Sequence, residues 1–383
     1  MVIAIDGLYL LMAKTGLGRY VESLLREFLM AAPDNKYYLY DGPLDNAIYR
    51  LQQIGSDRSD PATLAGFTDL SRFAIPTLTA KRILAALGDY LTGRSQRALN
   101  EVDVFWGPGF KGVYRASFKS VITVADMAHE YYPQSIPRAL AGFLRHRLPR
   151  ELKRADLIIA ISQNTKADII RFHNIDASKI QVIYPGVGAE FSPVTDAMTL
   201  DLVSRRYGLP QHYILYVGAV QPRKNVESII MASASLPQTH KLVIAGGVQW
   251  KSSTIGALIA RLGVQDRVVF TGYVQDCDLP ALYSMATAFV MPSLYEGFGL
   301  PILEAMACAT PVVTSNTSSL PEAAGPAAIL INPKSVQELS HAINDIIHNK
   351  DLQHELKQRS LAQAALFSWP NSARQMLKAF AAV

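Results

Sequence analysis

Residues 292–314 read PSLYEGFGLPILEAMACATPVVT, and the fold turns on how this stretch is parsed. An apolar run, Ala288 to Met291, leads into it, and a second, Pro311 to Thr314, closes it. Between them lie two glycines, a proline and a short apolar segment. Gly297 and Gly299 let backbone approach a ligand closely, and Pro301 suits the first turn of a helix. The order is therefore strand, loop, helix, strand, with the unpaired N–H groups and positive dipole end of the helix facing the loop. An ordinary tight turn would explain the glycines alone. It does not explain Glu304, eight positions after Glu296 and set among Ile302, Leu303, Ala305, Met306, Ala307 and Cys308. A carboxylate there is half-buried and needs partners, which a polyhydroxylated ligand supplies.

The same grammar extends in both directions. Short apolar runs at Val2–Ile5, Tyr37–Tyr40, Val102–Trp106, Val121–Ala125, Leu157–Ile161 and Ile180–Tyr184 read as buried strands. A second set follows at Ile214–Val217, Leu242–Ala245, Val268–Thr271, Ala288–Met291 and Val312–Thr314. Helical patterns are expected at Arg19–Met30, Asn164–Phe172 (capped by Ser162), 225–236, 253–262, 278–286, 300–308 and 335–366. Arg82–Leu99 reads as an amphipathic helix. Alternation of this kind gives an α/β protein with parallel sheets and right-handed crossovers. Its 383 residues suffice for two domains. The first closes at Pro185-Gly-Val-Gly188, and residues 189–197 look like a linker, so the division expected is 1–188 and 189–368.

Composition narrows the function classes. The chain is 49% hydrophobic and 18% charged, with a formal charge of +5 spread as +4 over residues 1–190 and +1 over the remainder. That excess is too mild for a dedicated nucleic-acid binder, though it suits phosphorylated ligands. Cys277 and Cys308 are too far apart in sequence to suggest a ligand pair, and so few cysteines fit a reduced compartment. With no run of about 18 apolar residues, the expectation is a cytoplasmic protein, at most peripheral at the inner face of a membrane. Residues 138–154 carry Arg138, Arg145, Arg147, Arg150, Lys153 and Arg154 against Glu151 alone. This is either a solvated helix face or a contact with anionic lipid or a lipid-linked phosphate.

Several further positions carry chemistry. Gly16 and Gly18 precede a helix and Asp41 follows a strand, which imitates a dinucleotide fingerprint. Val21 occupies the third glycine position and the turn is too long, so a nicotinamide site is rejected in favour of backbone N–H groups offered to a phosphate or sugar. Asp126 and His129 fall just past a strand end, where open α/β sheets place ligands. Arg223 and Lys224, between a strand and a helix, are suited to a diphosphate, the one as a fork and the other as a point charge. Asp276-Cys-Asp278 matches a D-x-D string, but it precedes Leu279-Pro280, so Asp278 reads as a helix cap. No other cluster has metal-ligand spacing, and no metal or other cofactor is expected.

Taken together, E-GFGLPIL-E (Glu296 to Glu304), VGAVQPRKN, FTGYVQD, LPALYSMA and MACATPVV, in that order, resemble the retaining glycosyltransferases of family 4 over nearly the whole chain. The resemblance implies the GT-B fold, two Rossmann-like doubly wound domains facing across a cleft. The first would bind the acceptor and the second the nucleotide sugar, and a closing helix, 369–383, would cross back to the first. It implies that Glu296 holds the donor sugar and that the backbone of Gly297, Phe298, Gly299 and Leu300 meets sugar and phosphate. Glu304 would accept from the ribose, and Arg223 with Lys224 would stabilise the leaving diphosphate in place of a metal. Gly16 and Gly18 would cover the diphosphate from the opposite domain, and Val274 and Asp276 would line the base pocket. An acceptor at Asp276 suits guanine. Two positions depart from the family pattern. Ala125-Asp126 stands where the family often has His-Asp, with His129 the candidate replacement, and Ala219 stands where many members have Arg. The expected activity is metal-independent transfer of a hexosyl unit, mannosyl from GDP-mannose by preference, to a hydroxyl of a saccharide or lipid-linked saccharide in polysaccharide biosynthesis. A UDP-hexose donor and a sugar-nucleotide epimerase are the alternatives.

Overall fold

The computed structural model describes residues 1–7, 16–40, 48–50, 101–115, 117–136, 138–247 and 252–383; the helix expected at 82–99 lies outside them. The first sheet holds strands β1 (Val2–Asp6), β2 (Lys36–Tyr40), β3 (Ile48–Arg50), β4 (Val104–Gly107), β5 (Lys119–Val124), β6 (Leu157–Ala160) and β7 (Ile180–Val182), in the order β3-β2-β1-β4-β5-β6-β7. The second holds β8 (Tyr213–Val217), β9 (Lys241–Ala245), β10 (Val268–Gly272), β11 (Ala288–Met291), β12 (Val312–Ser315) and β13 (Ala328–Ile331), in the order β10-β9-β8-β11-β12-β13. Among the described helices are α1 (Gly16–Ala31), α2 (Ala128–Tyr131), α3 (Arg138–Arg154), α4 (Gln163–His173), α5 (Ala197–Tyr207), α6 (Val226–Ser233), α7 (Ser252–Leu262), α8 (Leu279–Met285), α9 (Leu300–Ala307), α10 (Leu320–Ala324), α11 (Val336–His348), α12 (Lys350–Ala364) and α13 (Trp369–Ala382).

Both sheets are covered on two faces, which is why their strands are continuous apolar runs. Alternate residues of one strand enter different cores. Tyr213, Leu215, Val243, Phe289 and Met291 pack with α8 and α9, whereas Ile214, Tyr216, Leu242, Ile244 and Val290 pack with α6, α7 and α11. The expectation of parallel strands throughout fails at one edge. β3 pairs antiparallel with β2, a common way to finish an otherwise parallel sheet.

Other boundaries differ for local reasons. Residues 197–207, just past the expected linker and given no element there, are helical: Asp196 caps α5 by accepting from the Thr199 N–H, and Gly208 ends it at φ +60°. The long pattern 335–366 is two helices, because Asn349 turns its side chain onto the Leu352 N–H and begins α12 afresh. Asp278 makes no capping bond; its carboxylate instead accepts from Arg206 and the Tyr207 hydroxyl, each at 2.7 Å. Ser162 does cap α4, 3.0 Å from the Thr165 N–H.

Helix α13 lies against α1 and the first sheet. Trp369, Ala373, Met376 and Phe380 join Tyr20, Phe28 and Trp106 in one core, with the Phe380 ring 5.9 Å from Phe28 and 6.0 Å from Trp106. Apolar burial is the main force available here, since no salt bridge is recorded for this helix among the described residues. Phe380→Ala is expected to cost about 3–5 kcal/mol, read as a lowered midpoint of urea unfolding. A loss under about 1 kcal/mol would show that α13 is not held by this core.

Candidate active site

The order of the second sheet reverses between β8 and β11, and open α/β sheets form their ligand crevice at such a switch point. The loops leaving these two strands are sewn together. The Leu294 N–H donates to the Arg223 carbonyl at 2.8 Å, and Asn225 Nδ2 donates to the Pro292 and Pro333 carbonyls at 3.0 and 2.7 Å. Asn225 adopts φ +56°, a left-handed turn that asparagine tolerates better than most residues. The turn leaves Arg223 and Lys224 side by side, aimed across the crevice.

Glu296 receives both. Arg223 Nη1 lies 2.9 Å from Oε2 and Lys224 Nζ 2.5 Å from Oε1, and Arg223 also donates to the Tyr295 carbonyl at 3.0 Å. Glu296 is only 6% exposed. Burial by itself would raise its pKa, but the two cations outweigh burial and hold it down to about 2. Lys224 moves down as well, because its own burial exceeds the help it receives from Glu296. The backbone is pinned too: the Glu296 N–H donates to Ser318 Oγ, and both the Ser318 and Ser319 hydroxyls donate to its carbonyl.

Gly297 and Gly299 do separate jobs. A Cβ on Gly297 would sit 1.9 Å from the Ala125 carbonyl oxygen, so only glycine lets the two sheets' loops meet there. Gly299 has φ +105° and turns the chain into α9. Phe298 and Val274 are buried core side chains, and the Phe298 ring packs on Tyr184 and Phe367. Leu300 is half-buried between the two cores.

Glu304 is 7% exposed. Its partners are the Tyr283 hydroxyl at 2.8 Å and Arg19 Nη1 at 3.4 Å. Burial raises its pKa, and Arg19 and Tyr283 only partly oppose this. Arg19 comes from the first turn of α1, on the other sheet, and its second nitrogen reaches Asp276, 55% exposed, at 2.5 Å. One arginine thus ties together the two carboxylates that the sequence reading assigned to base and ribose. Gly16 and Gly18 belong to the first turn of α1 rather than to a loop, Gly16 exposed and Gly18 buried.

From the first sheet, Asp126 follows β5 in a turn closed by the Ala128 N–H on its Oδ1 at 2.9 Å. It is half-buried, and its charge acts on both Arg223 and Lys224. His129 lies elsewhere. Its ring is buried against Phe110, with Nε2 3.5 Å from Glu130 Oε1, and burial lowers its pKa.

Sequence reasoning missed Arg19, Tyr283 and a cross-cleft network around Asp168. That carboxylate accepts from Tyr295 at 2.8 Å and Tyr131 at 2.6 Å, and the Met127 N–H donates to the Tyr295 hydroxyl at 3.0 Å. Glu322 of α10 similarly caps α4, accepting the Gln163 and Asn164 N–H groups. One signal for Arg19 was available: a cation in the first turn of a helix opposes the dipole and requires a partner elsewhere. On α3, Arg145, Arg147, Arg150, Lys153 and Arg154 are exposed while Leu144, Leu148 and Leu152 are buried. Among the described residues, no helix is long and apolar enough to cross a membrane.

The depressed Glu296 pKa has a measurable consequence. A carboxyl with a lower pKa in the folded state contributes stability above its ordinary value of 4.5 and loses it as pH falls toward about 2. The stability difference between the protein and Glu296→Gln should therefore shrink over that window, by at most about 3 kcal/mol, in denaturant melts at stepped pH. A difference that does not change with pH would remove the ion pairs from the account.

Comparison with known proteins agrees with this geometry. A family model described as "Glycosyl transferases group 1" matches residues 205–363, and one described as "Glycosyltransferase Family 4" matches residues 40–191. The O-antigen chain mannosyltransferase B of Escherichia coli is 31% identical over 375 residues, 96% of each chain. The serotype-specific mannosyltransferase WbdA, also of Escherichia coli, is 37% identical over 237 residues, 60% of this chain and 29% of WbdA. In structure, sucrose-phosphate synthase from Thermosynechococcus elongatus superposes over 100% of both chains with a TM-score of 0.75 at 23% identity. WaaG, a glycosyltransferase involved in lipopolysaccharide biosynthesis, gives 0.67 at 18% identity over 98% of this chain and 99% of WaaG. These likenesses confirm the GT-B architecture, and the full-length relative settles the lineage: the chain belongs to glycosyltransferase family 4.

Proposed function

We propose that the protein is a retaining hexosyltransferase that moves mannose from GDP-mannose to a hydroxyl of a saccharide or lipid-linked saccharide during polysaccharide assembly. The observation that carries this reading is the buried Glu296 between Arg223 and Lys224 at the strand-order switch, with the Asp126 charge acting on both cations. The full-length relative's description as an O-antigen chain mannosyltransferase supports the sugar and the kind of acceptor.

In this mechanism the donor diphosphate takes up the hydrogen-bonding capacity of Arg223 and Lys224. Arg223 offers a planar fork and Lys224 a compact charge, and both answer the negative charge that grows as the glycosidic bond breaks. Glu296 then has acceptor lone pairs for the sugar hydroxyls and fixes the ring with its anomeric carbon toward Asp126. The acceptor hydroxyl approaches the face that the diphosphate leaves and gives its proton to the departing phosphate, so that configuration is kept. No metal is assigned to the step, because the two cations already neutralise the leaving group. Glu304 and Asp276 receive the nucleoside, the ribose hydroxyls on the former and the guanine N–H edge on the latter. His129 has no part in the chemistry, since its ring faces Glu130 and Phe110.

A thermal-shift panel of GDP, UDP, ADP and dTDP sugars tests the donor, followed by NMR of the anomeric signal of the product. A ligand at 100 times its Kd adds about 2.7 kcal/mol, so GDP-mannose should stand apart, and its product should keep the donor's configuration. A shift with UDP sugars alone, an inverted product, or an epimerised sugar formed without acceptor would each overturn the reading.

A further inference from the structure

The cleft makes no use of a buried cluster behind it. His129 is 4% exposed, and neither of its ring nitrogens has a hydrogen-bond partner. Nε2 of His173, the last residue of α4, is likewise buried and unpartnered. Buried polar atoms are nearly always satisfied in folded proteins, and each orphan costs stability. Three imidazole nitrogens without a hydrogen bond in one place, one of them 3.5 Å from the Glu130 carboxylate, call for a ligand. One donor atom from each of His129, Glu130 and His173 lies within 4.8 Å of the other two.

We infer that His129, Glu130 and His173 form a site for a divalent transition ion of the zinc type. The ion ties the turn behind β5 to the end of α4 and stands apart from the sugar-transfer chemistry. The donor set selects the class of ion: two imidazoles and one carboxylate suit zinc, whereas calcium and magnesium want oxygen shells. Around a tetrahedral ion with bonds of 2.0–2.1 Å, neighbouring donors sit about 3.4 Å apart. His129 Nε2 and Glu130 Oε1 are already at 3.5 Å, and rotation of the His173 ring can close the remainder. A water completes the fourth position. Of the charged groups that act on His129, Glu130 and Asp126 are anions and Arg145 is a cation, a balance that favours a bound cation.

The site has a structural consequence for its neighbours. The Met127 N–H donates to the hydroxyl of Tyr295, in the loop after β11, and the Ala128 N–H donates to Asp126. An ion on His129 and Glu130 therefore stiffens the turn that aims Asp126 into the cleft. This inference stands independently of the donor and acceptor proposed above.

The test uses the full chain, stripped with a chelator and titrated with zinc sulfate by calorimetry, then with cobalt(II) by visible absorption. One ion per chain is expected, with cobalt bands of tetrahedral intensity that zinc displaces. His173→Gln and Glu130→Gln, each checked for folding by circular dichroism, should weaken binding by at least about tenfold, and Cys277→Ser should leave it unchanged. Absence of stoichiometric binding would overturn the site; so would binding that survives both ligand substitutions, or binding lost in Cys277→Ser. A water filling the cluster instead would give the first of these results. Should either ligand variant fail to fold, the other carries the test.

Discussion

A carboxylate buried between two cations, where the loops after β8 and β11 meet, sets the terms for everything around it. Taking Glu296, Arg223 and Lys224 out of water is expensive, and the cost is recovered only if every partner stays in place. The protein fixes the partners through backbone rather than through side-chain packing alone. Asn225 staples the Arg223–Lys224 turn to the Pro292 carbonyl, and Ser318 and Ser319 hold the Glu296 backbone. Such a cluster is preorganised: in the proposed reaction the diphosphate meets cations already oriented, and little has to reorganise as charge develops.

The same economy governs the contact between the sheets. Gly297 lies under the Ala125 carbonyl, Tyr295 reaches Asp168, and Glu322 caps α4, so the loops bearing the site also make the contacts between the two sheets' layers. Arg19 reaches from α1 to the far end of the crevice, where it pairs with Asp276 and Glu304. In the proposed complex, nucleoside and Arg19 compete for those two carboxylates. Glu304, whose pKa is raised by burial even with Arg19 beside it, gains from any further donor. A ribose hydroxyl is one.

Much of this architecture was legible in the sequence, because a parallel sheet covered on both faces writes itself as short apolar runs. Those runs located the switch point, and with it Glu296, Arg223 and Lys224. Elements without that signature were lost. β3 is three residues at an edge, β13 follows a Gly-Pro turn directly, and the break at Asn349 is one side-chain bond inside a helical pattern. The caps Asp196 and Gly208 marked α5 plainly, but the helix follows directly on the expected linker and was passed over. Asp278 was misread because a cap and an ion-pair acceptor share the same residue type, and only the fold brings Arg206 within reach. Arg19–Glu304 and Tyr295–Asp168 span 285 and 127 positions, and no spacing rule in a single sequence reaches that far. Asp126 and His129 looked like a pair at three positions apart, yet the turn sends one toward the cleft and buries the other behind it.

The central claim is that Arg223 and Lys224 bind the diphosphate while Glu296 binds the sugar. Calorimetric titration of GDP into the protein, Glu296→Gln and Arg223→Ala separates these roles most directly. The account predicts that Glu296→Gln binds GDP at least as tightly as the parent, because its cations are released, and that Arg223→Ala binds about tenfold or more weakly. If Glu296→Gln loses GDP affinity as severely as Arg223→Ala, the three residues act as one nucleotide-binding or folding unit and the division of labour is wrong.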